Sequence, residues 1–434
     1  MLNIKLMMNQ LNFFKKKLAL RGFFLDIHKI QQIEYNYKNL KIKIEFLQHK
    51  RNILNKLISK YIKKKKKILF LRNKSISINT KLLLIKEKMI QIKKNRLKFY
   101  MNIPNIPDKI VPKGTSHIDN IEIFKWGDIK NFNFKIKDHV ILGNLVDGLD
   151  WKSGSQITGS RFVVMSNKIA LLHRALGQFM LDTHILIHGY TEINVPYIVN
   201  EKSLYGTGQL PKFKKELFQL YNEDEKNNKY FLIPTSEVPL INIFQSKKIL
   251  CTDLPIKLTS LTSCFRSESA SYGLDTKGLI RMHQFDKVEL VQIVHPEQSN
   301  NALEELTLHA EKILKLLKLP YRKILLCSKD LSFAATKTYD LEVWFPSQNM
   351  YREVSSCSNI NDFQSRRINL KIIKSFATKK EKFFPHTLNG SGLAIGRVLA
   401  AIMENNQTAN GDVLVPKVLQ KKYMHGIKII NSIK

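Results

Sequence analysis

Residues 258–294 read LTSLTSCFRSESASYGLDTKGLIRMHQFDKVELVQIV. Both ends of this stretch, 258–265 and 285–294, are rich in β-branched and apolar residues, and a polar segment that contains glycine separates them. This pattern predicts a strand, a loop and a returning strand, which form an antiparallel pair. A further β-rich run at 230–233 and helical patterns at 167–188 and 393–405 follow no regular strand–helix–strand rhythm. The sequence therefore predicts an α+β fold, with helices flanking an antiparallel sheet.

Residues 27–101 carry a different pattern. Apolar side chains recur at spacings of three and four from 30 to 61 and again from 78 to 99, with interruptions at Arg51 and Arg96. Two such heptad seams predict an antiparallel α-helical coiled-coil hairpin, each helix roughly 50 Å long at ~1.5 Å per residue. The two arginines are predicted to face each other across the seam.

The ends of this hairpin can also be placed from the sequence. Its tip is predicted between the two seams, in the run Lys63–Lys67 or at Asn73–Ser75, where polar residues break the apolar pattern. Pro104 and Pro107 then stop the second helix, because proline removes a backbone donor and clashes within a helix. The sequence therefore predicts an N-terminal domain at 1–103 and a second domain at 104–434.

The charge is concentrated in the first of these domains. The chain has 71 Lys and Arg against 36 Asp and Glu, a net charge of +35. Residues 1–100 hold 27 basic and 4 acidic side chains (net +23), which leaves 44 and 32 (net +12) for the rest. Drift toward A/T-rich coding explains Lys in place of Arg, but it does not explain the missing acidic residues. This concentrated positive charge favours binding to nucleic acid. A membrane surface is disfavoured, because the apolar positions fit a helix–helix seam rather than a membrane-facing stripe.

Several classes of protein are disfavoured by the composition. No stretch approaches the roughly 20 apolar residues that span a bilayer, so no membrane association is expected. The N-terminus lacks the apolar core and cleavage site of a signal peptide, so we expect a cytoplasmic protein. No two of the four cysteines have C-x-x-C spacing, so neither a zinc site nor a disulfide framework is expected.

Three segments hold residues suited to nucleotide chemistry. Arg266 and Glu268 are two residues apart at the end of a predicted strand, so they face one side, where arginine suits a phosphate and glutamate an amino group. Glu353 and Ser356 offer oxygens that could hold a hard cation such as Mg²⁺. The run 390–397 (GSGLAIGR) has glycines that permit close approach to a ligand, beside Arg397, but it matches neither a dinucleotide fingerprint nor a Walker loop. Taken singly, each has an ordinary structural explanation, such as a cross-strand ion pair.

The order of these segments is more specific than any one of them. A helix, a strand and a proline at 167–196, the F-R-x-E stretch at 258–292, and the glycine-rich run at 386–405 resemble the three signature motifs of class II aminoacyl-tRNA synthetases. The segments 206–213, 235–237 and 278–285, and the basic hairpin, are similar to the seryl-tRNA synthetase family in particular. The resemblance extends over the whole chain.

The resemblance implies roles for individual residues. Arg266 and Arg397 would be catalytic, binding the α- and γ-phosphates of ATP. Glu353 and Ser356 would hold Mg²⁺ together with ATP. The residues implied at the ATP site are Arg266, Ser267, Glu268, Met282, Phe285, Glu353, Val354, Ser355, Ser356 and Arg397. Those implied at the serine site are Thr235, Ser236, Glu237, Arg266, Glu289 and Ser391.

The resemblance also implies a reaction and partners. A ligase of this family activates L-serine with ATP and transfers it to tRNA(Ser), and bacterial relatives also charge tRNA(Sec). The hairpin would bind the tRNA, and the first motif would form a homodimer interface. Two other functions remain open from sequence: a non-catalytic RNA-binding paralogue, and a ligase that loads an amino acid onto a carrier protein. The first would lack key residues that are present here, and relatives of the second kind lack the long hairpin.

Overall fold

The computed structural model describes residues 1–64, 66–221, 229–269, 277–375 and 380–433, and it divides into two compact units. One unit comprises Ile4–Ala19 and Phe23–Ile103; the other comprises Met1–Asn3, Leu20–Gly22 and Pro104–Lys434. The helices are α1 (Ile4–Asn9), α2 (Leu11–Ala19), α3 (Ile27–Lys63), α4 (Leu69–Met101), α5 (His139–Leu145), α6 (Trp151–Ile157), α7 (Asn167–Leu186), α8 (Glu201–Thr207), α9 (Glu237–Asn242), α10 (Ser299–Leu317), α11 (Phe363–Ile368), α12 (Ile395–Asn405) and α13 (Lys417–Gln420).

The strands are β1 (Ile121–Trp126), β2 (Leu149–Asp150), β3 (Val164–Met165), β4 (Thr191–Glu192), β5 (Ile198–Asn200), β6 (Gln219–Leu220), β7 (Tyr230–Leu232), β8 (Lys248–Leu250), β9 (Ile256–Phe265), β10 (Gln284–Val294), β11 (Tyr321–Leu325), β12 (Lys337–Phe345), β13 (Met350–Asn361), β14 (Lys371–Ser375), β15 (Lys380–Phe383), β16 (His386–Ala394), β17 (Val413–Leu414) and β18 (Ile429–Ile430). None of the described helices is long and apolar enough to cross a lipid bilayer.

The N-terminal unit contains the predicted helical hairpin, formed by α3 and α4. Asp26 caps α3 by accepting a hydrogen bond from the backbone N–H of Lys29 at 2.9 Å. The tip lies between Lys63 and Leu69, within which residue 65 is outside the described part of the chain. The alternative prediction of a tip at 73–75 is wrong: these residues lie inside α4, because polar side chains are tolerated on an exposed helix face.

The interruption of the second seam at Arg96 is explained by a cluster at the base of the hairpin. The guanidinium of Arg96 donates to both carboxylate oxygens of Glu34, at 2.6 and 3.2 Å, and Tyr100 donates to the same carboxylate at 2.7 Å. Arg51 lies 17 residues beyond Glu34 on α3, about 25 Å along the helix axis. The prediction that Arg51 and Arg96 face each other is therefore wrong.

The second unit is built on an eight-stranded sheet in the order β1-β11-β12-β13-β16-β10-β9-β4. Every neighbouring pair is antiparallel except β4 and β9. The predicted α+β fold with an antiparallel sheet is thus confirmed. The predicted loop between β9 and β10 falls largely on residues 270–276, outside the described residues.

One face of this sheet is covered by apolar helices. The α12 helix is buried along nearly its whole length, because eight of its residues are small or apolar, and it packs with α7 and α10 into the main core. Gly390 in β16 allows the close approach of α10: a Cβ atom there would lie 2.4 Å from Leu306. The glycine-rich run thus begins as a central strand, and the side chains of alternate residues on the opposite face are free to form a site.

Candidate active site

The cleft lies on that opposite face, where β9, β10, β13 and β16 run side by side. Many of the predicted residues come from distant parts of the chain and line this single cleft. They are Arg266, Glu268, Met282, Phe285, Glu353, Val354, Ser391 and Arg397.

The first wall of the cleft is formed where β9 ends. The strand stops at Phe265, so Arg266 and Glu268 follow the strand instead of lying within it as predicted. The guanidinium of Arg266 lies 5.2 Å from the ring centre of Phe285, and its Nε donates to the Pro234 carbonyl at 3.3 Å. This contact holds a permanent cation against the aromatic ring that lines the cleft.

The carboxylate of Glu268 is positioned by a second arginine. Arg281 donates to Glu268 Oε2 at 3.2 Å, and Glu268 itself has a positive φ of 45°. Ser267 lies apart from the cleft: its hydroxyl donates to the carbonyl of Lys215 at 2.6 Å. The backbone N–H of Ser267 donates to the Glu216 carbonyl at 3.0 Å, so a contact from Ser267 to a ligand in the cleft would come from its backbone carbonyl.

The opposite wall is formed by Arg397 in the first turn of α12. Its Nε donates to the Ile280 carbonyl at 3.1 Å, and its Nη1 lies 2.7 Å from the Glu353 carbonyl and 3.2 Å from Glu353 Oε2. Burial raises the pKa of the Glu353 carboxyl, but Arg397 and Arg266 outweigh burial and hold that pKa below its ordinary value. The Glu353 side chain is 45% exposed and ionised at neutral pH.

A β-bulge explains the spacing between Glu353 and Ser356. The strand register pairs Glu353 with Glu342 and Ser356 with Asp340, so Val354 is the extra residue on β13. Since residues 340 and 342 share one face of β12, their partners share that face too. In a regular strand, residues three apart would point to opposite sides.

Glu353 and Ser356 have the chemistry of a site for a hard cation. Both side chains offer only oxygen, which suits Mg²⁺, and the bulge aims them to the same side. Among the described residues, no group of three or more His, Cys, Asp or Glu side chains is placed to hold a metal ion. Glu353 and Ser356 supply two oxygen ligands, so a cation bound here would need further oxygens from a ligand or water.

One residue that lines the cleft, Lys287, belongs to a buried network with Glu289 on β10 and with Thr235. Lys287 forms a short ion pair with Glu289 and donates to the Thr235 hydroxyl at 2.9 Å. Thr235 in turn donates to Glu289 Oε2 at 2.8 Å. The other carboxylate oxygen, Glu289 Oε1, is buried and has no hydrogen-bond partner among the described residues. A buried, unpartnered carboxylate oxygen is costly, so it marks a place for a ligand donor.

Glu237, the first residue of α9, adds a second carboxylate. Burial and the neighbouring Glu289 raise the pKa of Glu237 to about 7, although Gln364 donates to its Oε1 at 2.6 Å. The hydroxyl of Ser236 is also buried and lacks a hydrogen-bond partner within the described residues. The two carboxylates and the hydroxyl suit a small ligand with an ammonium group.

Backbone contacts set the positions of the remaining predicted residues. Ser391 pairs with Glu289 in the strand register, and its carbonyl accepts from the Ser355 hydroxyl at 2.6 Å. The side chain of Val354 is buried in the main core. Ser355 and Val354 thus act on the cleft through packing and through the backbone.

Two charged residues of the cleft were missed in the sequence analysis. Lys287 and Arg281 both line the cleft, and each forms an ion pair with a predicted site residue. A signal existed for Lys287, because it lies two residues before Glu289 and so shares its strand face. Arg281 carries no comparable signal, since its contact with Glu268 depends on the loop between the strands.

Comparisons with known proteins place this geometry in a family. Residues 1–107 match the model of the seryl-tRNA synthetase N-terminal domain, and residues 216–406 match that of the class II tRNA synthetase core domain (G, H, P, S and T). The serine–tRNA ligase of Buchnera aphidicola subsp. Baizongia pistaciae is 53% identical over 433 residues, covering 99% of this chain and all of that protein. That of Wigglesworthia glossinidia brevipalpis is 54% identical over 432 residues, with the same coverage.

The fold is also similar to that of a seryl-tRNA synthetase of known structure. The crystal structure of seryl-tRNA synthetase from Pyrococcus horikoshii complexed with ATP matches with a TM-score of 0.89 and 32% identity, and each chain is covered completely. The resemblance predicted from the motifs is thus confirmed. The chain belongs to the seryl-tRNA synthetase family, within class II of the aminoacyl-tRNA synthetases.

Proposed function

We propose that this chain is a serine–tRNA ligase that activates L-serine with ATP and transfers the seryl group to tRNA(Ser). The observation that carries the proposal is the buried Glu289 Oε1, which has no hydrogen-bond partner among the described residues. Glu289 pairs with Lys287, which lines the cleft together with Arg266 and Arg397. A carboxylate can accept from both the hydroxyl and the ammonium of serine. Alanine lacks the hydroxyl and would leave that oxygen unsatisfied, which is the basis for rejecting it.

In the activation step, a carboxylate oxygen of serine attacks the α-phosphorus of ATP. A new P–O bond forms, and the bond to the bridging oxygen breaks, so pyrophosphate leaves with the electron pair. Arg266 neutralises charge at the α-phosphate, and Arg397 holds the γ-phosphate. These residues contribute by positioning and charge stabilisation, and no covalent enzyme intermediate is needed.

The remaining residues of the ATP site have supporting roles. Glu268 contacts adenine, and Phe285 stacks on it, with Met282 offering its backbone. Glu353 and Ser356 would hold Mg²⁺ with the phosphates, and the cation would neutralise developing negative charge. Arg397 Nη1 lies 3.2 Å from Glu353 Oε2, so the residue proposed for the γ-phosphate and one proposed for the cation are already side by side.

In the transfer step, a 3′-terminal ribose hydroxyl of the tRNA attacks the acyl carbon. An ester forms, AMP leaves, and the hydroxyl proton is released. The basic hairpin α3–α4 would grip the tRNA largely through phosphate and sugar, reading shape more than sequence. We extend the proposal to tRNA(Sec), and we place the enzyme in the cytoplasm because translation consumes its product.

We further propose a homodimer formed through the first motif, 167–196. The end of α7 supports this surface, since Leu186 is 75% exposed and Ile187 is 64% exposed. Neighbouring large apolar side chains that remain this exposed favour a protein contact.

The proposed function is tested by ATP–pyrophosphate exchange with each of the twenty amino acids supplied singly. Exchange is expected with serine alone. Charging is then measured with tRNA(Ser), with tRNA(Sec), and with a control tRNA that has a short variable arm. Absence of serine-dependent exchange by folded protein would refute the proposal.

A further inference from the structure

Gln364 is a buried polar residue to which no role in the cleft has been assigned. It lies near the start of α11, is 1% exposed, and forms hydrogen bonds to three separate segments. Its Nε2 donates to Glu237 Oε1 at 2.6 Å and to the Thr207 carbonyl at 3.2 Å. Its Oε1 accepts from the Thr387 hydroxyl at 2.7 Å. Every donor and acceptor group of the amide is therefore engaged.

The chemistry of these partners allows only one orientation of the amide. The Thr207 carbonyl can only accept, so it must face the NH₂ group and not the amide oxygen. An inverted amide would also set its oxygen against the Glu237 carboxylate. The second N–H is thus always directed at Glu237.

Thr207 belongs to the GTGQLPKF segment at 206–213. Its neighbour Gly206 lies where a Cβ atom would approach Asn242 Oδ1 to 2.7 Å, so α8 packs tightly against α9. Gln364 therefore links three parts of the fold at one point: the end of α8, the start of α9 and strand β16.

We infer that Gln364 is a positioning residue of the serine site, which keeps the Glu237 carboxylate oriented and ionised for the substrate's ammonium group. The inference rests on the proposed function, because it takes serine as the ligand. A charged acceptor gains more from a fixed N–H donor than a neutral one does. Gln364 would thereby allow a buried glutamate to serve as an anion near neutral pH.

The surrounding charges show why such help is needed. Burial and Glu289 both favour the neutral form of Glu237 and raise its pKa to about 7. Gln364, Lys287 and Arg266 act in the opposite direction. Loss of the Gln364 hydrogen bond would raise the pKa of Glu237 further and favour its neutral form, which cannot form an ion pair with an ammonium group.

The test compares Gln364→Met with the intact protein, measuring KM for serine and for ATP by pyrophosphate exchange between pH 6 and 9. We expect the intact protein to bind serine more weakly below about pH 7. In Gln364→Met this transition should move upward by about one pH unit, equivalent to a roughly tenfold rise in KM for serine at pH 6. Raising the pH to 9 should restore serine binding, and KM for ATP should be unchanged.

Gln407→Met is the matched control. Gln407 is also buried, and its amide also forms three hydrogen bonds, with Lys137 and Glu404, away from the cleft. The Gln407→Met variant should be less stable than the intact protein, but the pH dependence of its KM for serine should be unchanged. A loss in Gln364→Met that is equal at every pH, or equal for serine and ATP, would overturn the inference. Absence of serine-dependent exchange in the intact protein would instead refute the proposed function.

Discussion

Glu289→Gln gives the most direct test of how the cleft selects its amino acid. The change keeps the shape of the side chain but removes its charge and one of two acceptor oxygens. A hydrogen bond to a charged group contributes about 1.5–3 kcal/mol, so KM for serine should rise by roughly 10- to 150-fold. KM for ATP should stay within about twofold, because Glu289 is bonded to Thr235 and Lys287 and neither of these is implied at the ATP site.

The same change also affects folding, and this effect must be separated from binding. Lys287 would remain buried without its ion pair, and breaking such a pair costs about 3–5 kcal/mol of unfolding free energy. Glu311→Gln is the matched control. Glu311 is buried, contacts Lys323 at 3.5 Å and accepts from Tyr321 at 2.7 Å, at the packing of α10 against the sheet.

The assay is pyrophosphate exchange with separate titrations of serine and ATP, together with thermal unfolding of both variants. Both variants should unfold at lower temperature, but only Glu289→Gln should lose affinity for serine selectively. If its two KM values rise by the same factor, or if Glu311→Gln weakens serine equally, then the ion pair is structural and the selectivity argument fails.

Three further predictions concern the other parts of the molecule. Arg397→Ala should lower the exchange rate by at least about 10²-fold while the thermal unfolding temperature changes little, because it removes a charge clamp on the phosphates; near-normal exchange would contradict its role. Deleting residues 35–95 should spare exchange, cripple tRNA charging and flatten the salt dependence of tRNA binding from a log–log slope of roughly −0.7 to −0.9 per phosphate. Glu34 and Arg96 are in contact, so a short glycine turn can join the two ends left by the deletion. Undiminished tRNA charging by this variant would exclude the arm from tRNA binding. Leu186→Asp should shift the protein to a monomer in analytical ultracentrifugation, and an unchanged mass would place the dimer interface elsewhere.

The elements with strong local periodicity could be predicted from the sequence. In the hairpin helices, apolar residues recur at spacings of three and four. The ends of β9 and β10 each lie within two residues of the predicted ends. Arg266 and Arg397 were predicted to bind the phosphates of ATP, and both line the same cleft. Their spatial proximity required the motif order, because no short-range pattern relates residues 131 positions apart.

Other features depend on contacts that no local pattern records. The hairpin tip was partly misplaced because polar residues at 73–75 occupy an exposed helix as readily as a turn. The bulge at Val354 places Glu353 and Ser356 together only through register with β12. Gln364 looked unremarkable in sequence, since its three partners come from α8, α9 and β16.

The position of β1 in the sheet has a consequence for synthesis. Its partner β11 lies 200 residues downstream (321 − 121), so at ~5–20 residues per second the strand waits roughly 10–40 s on the ribosome. The hairpin needs only local contacts and can fold within about milliseconds of emerging. A nascent chain therefore carries a finished basic arm beside an unpaired apolar strand whose Ile121, Ile123 and Phe124 stay over 40% exposed even after folding. An apolar strand that stays unpaired for this long is open to aggregation, and cotranslational chaperones would shield it.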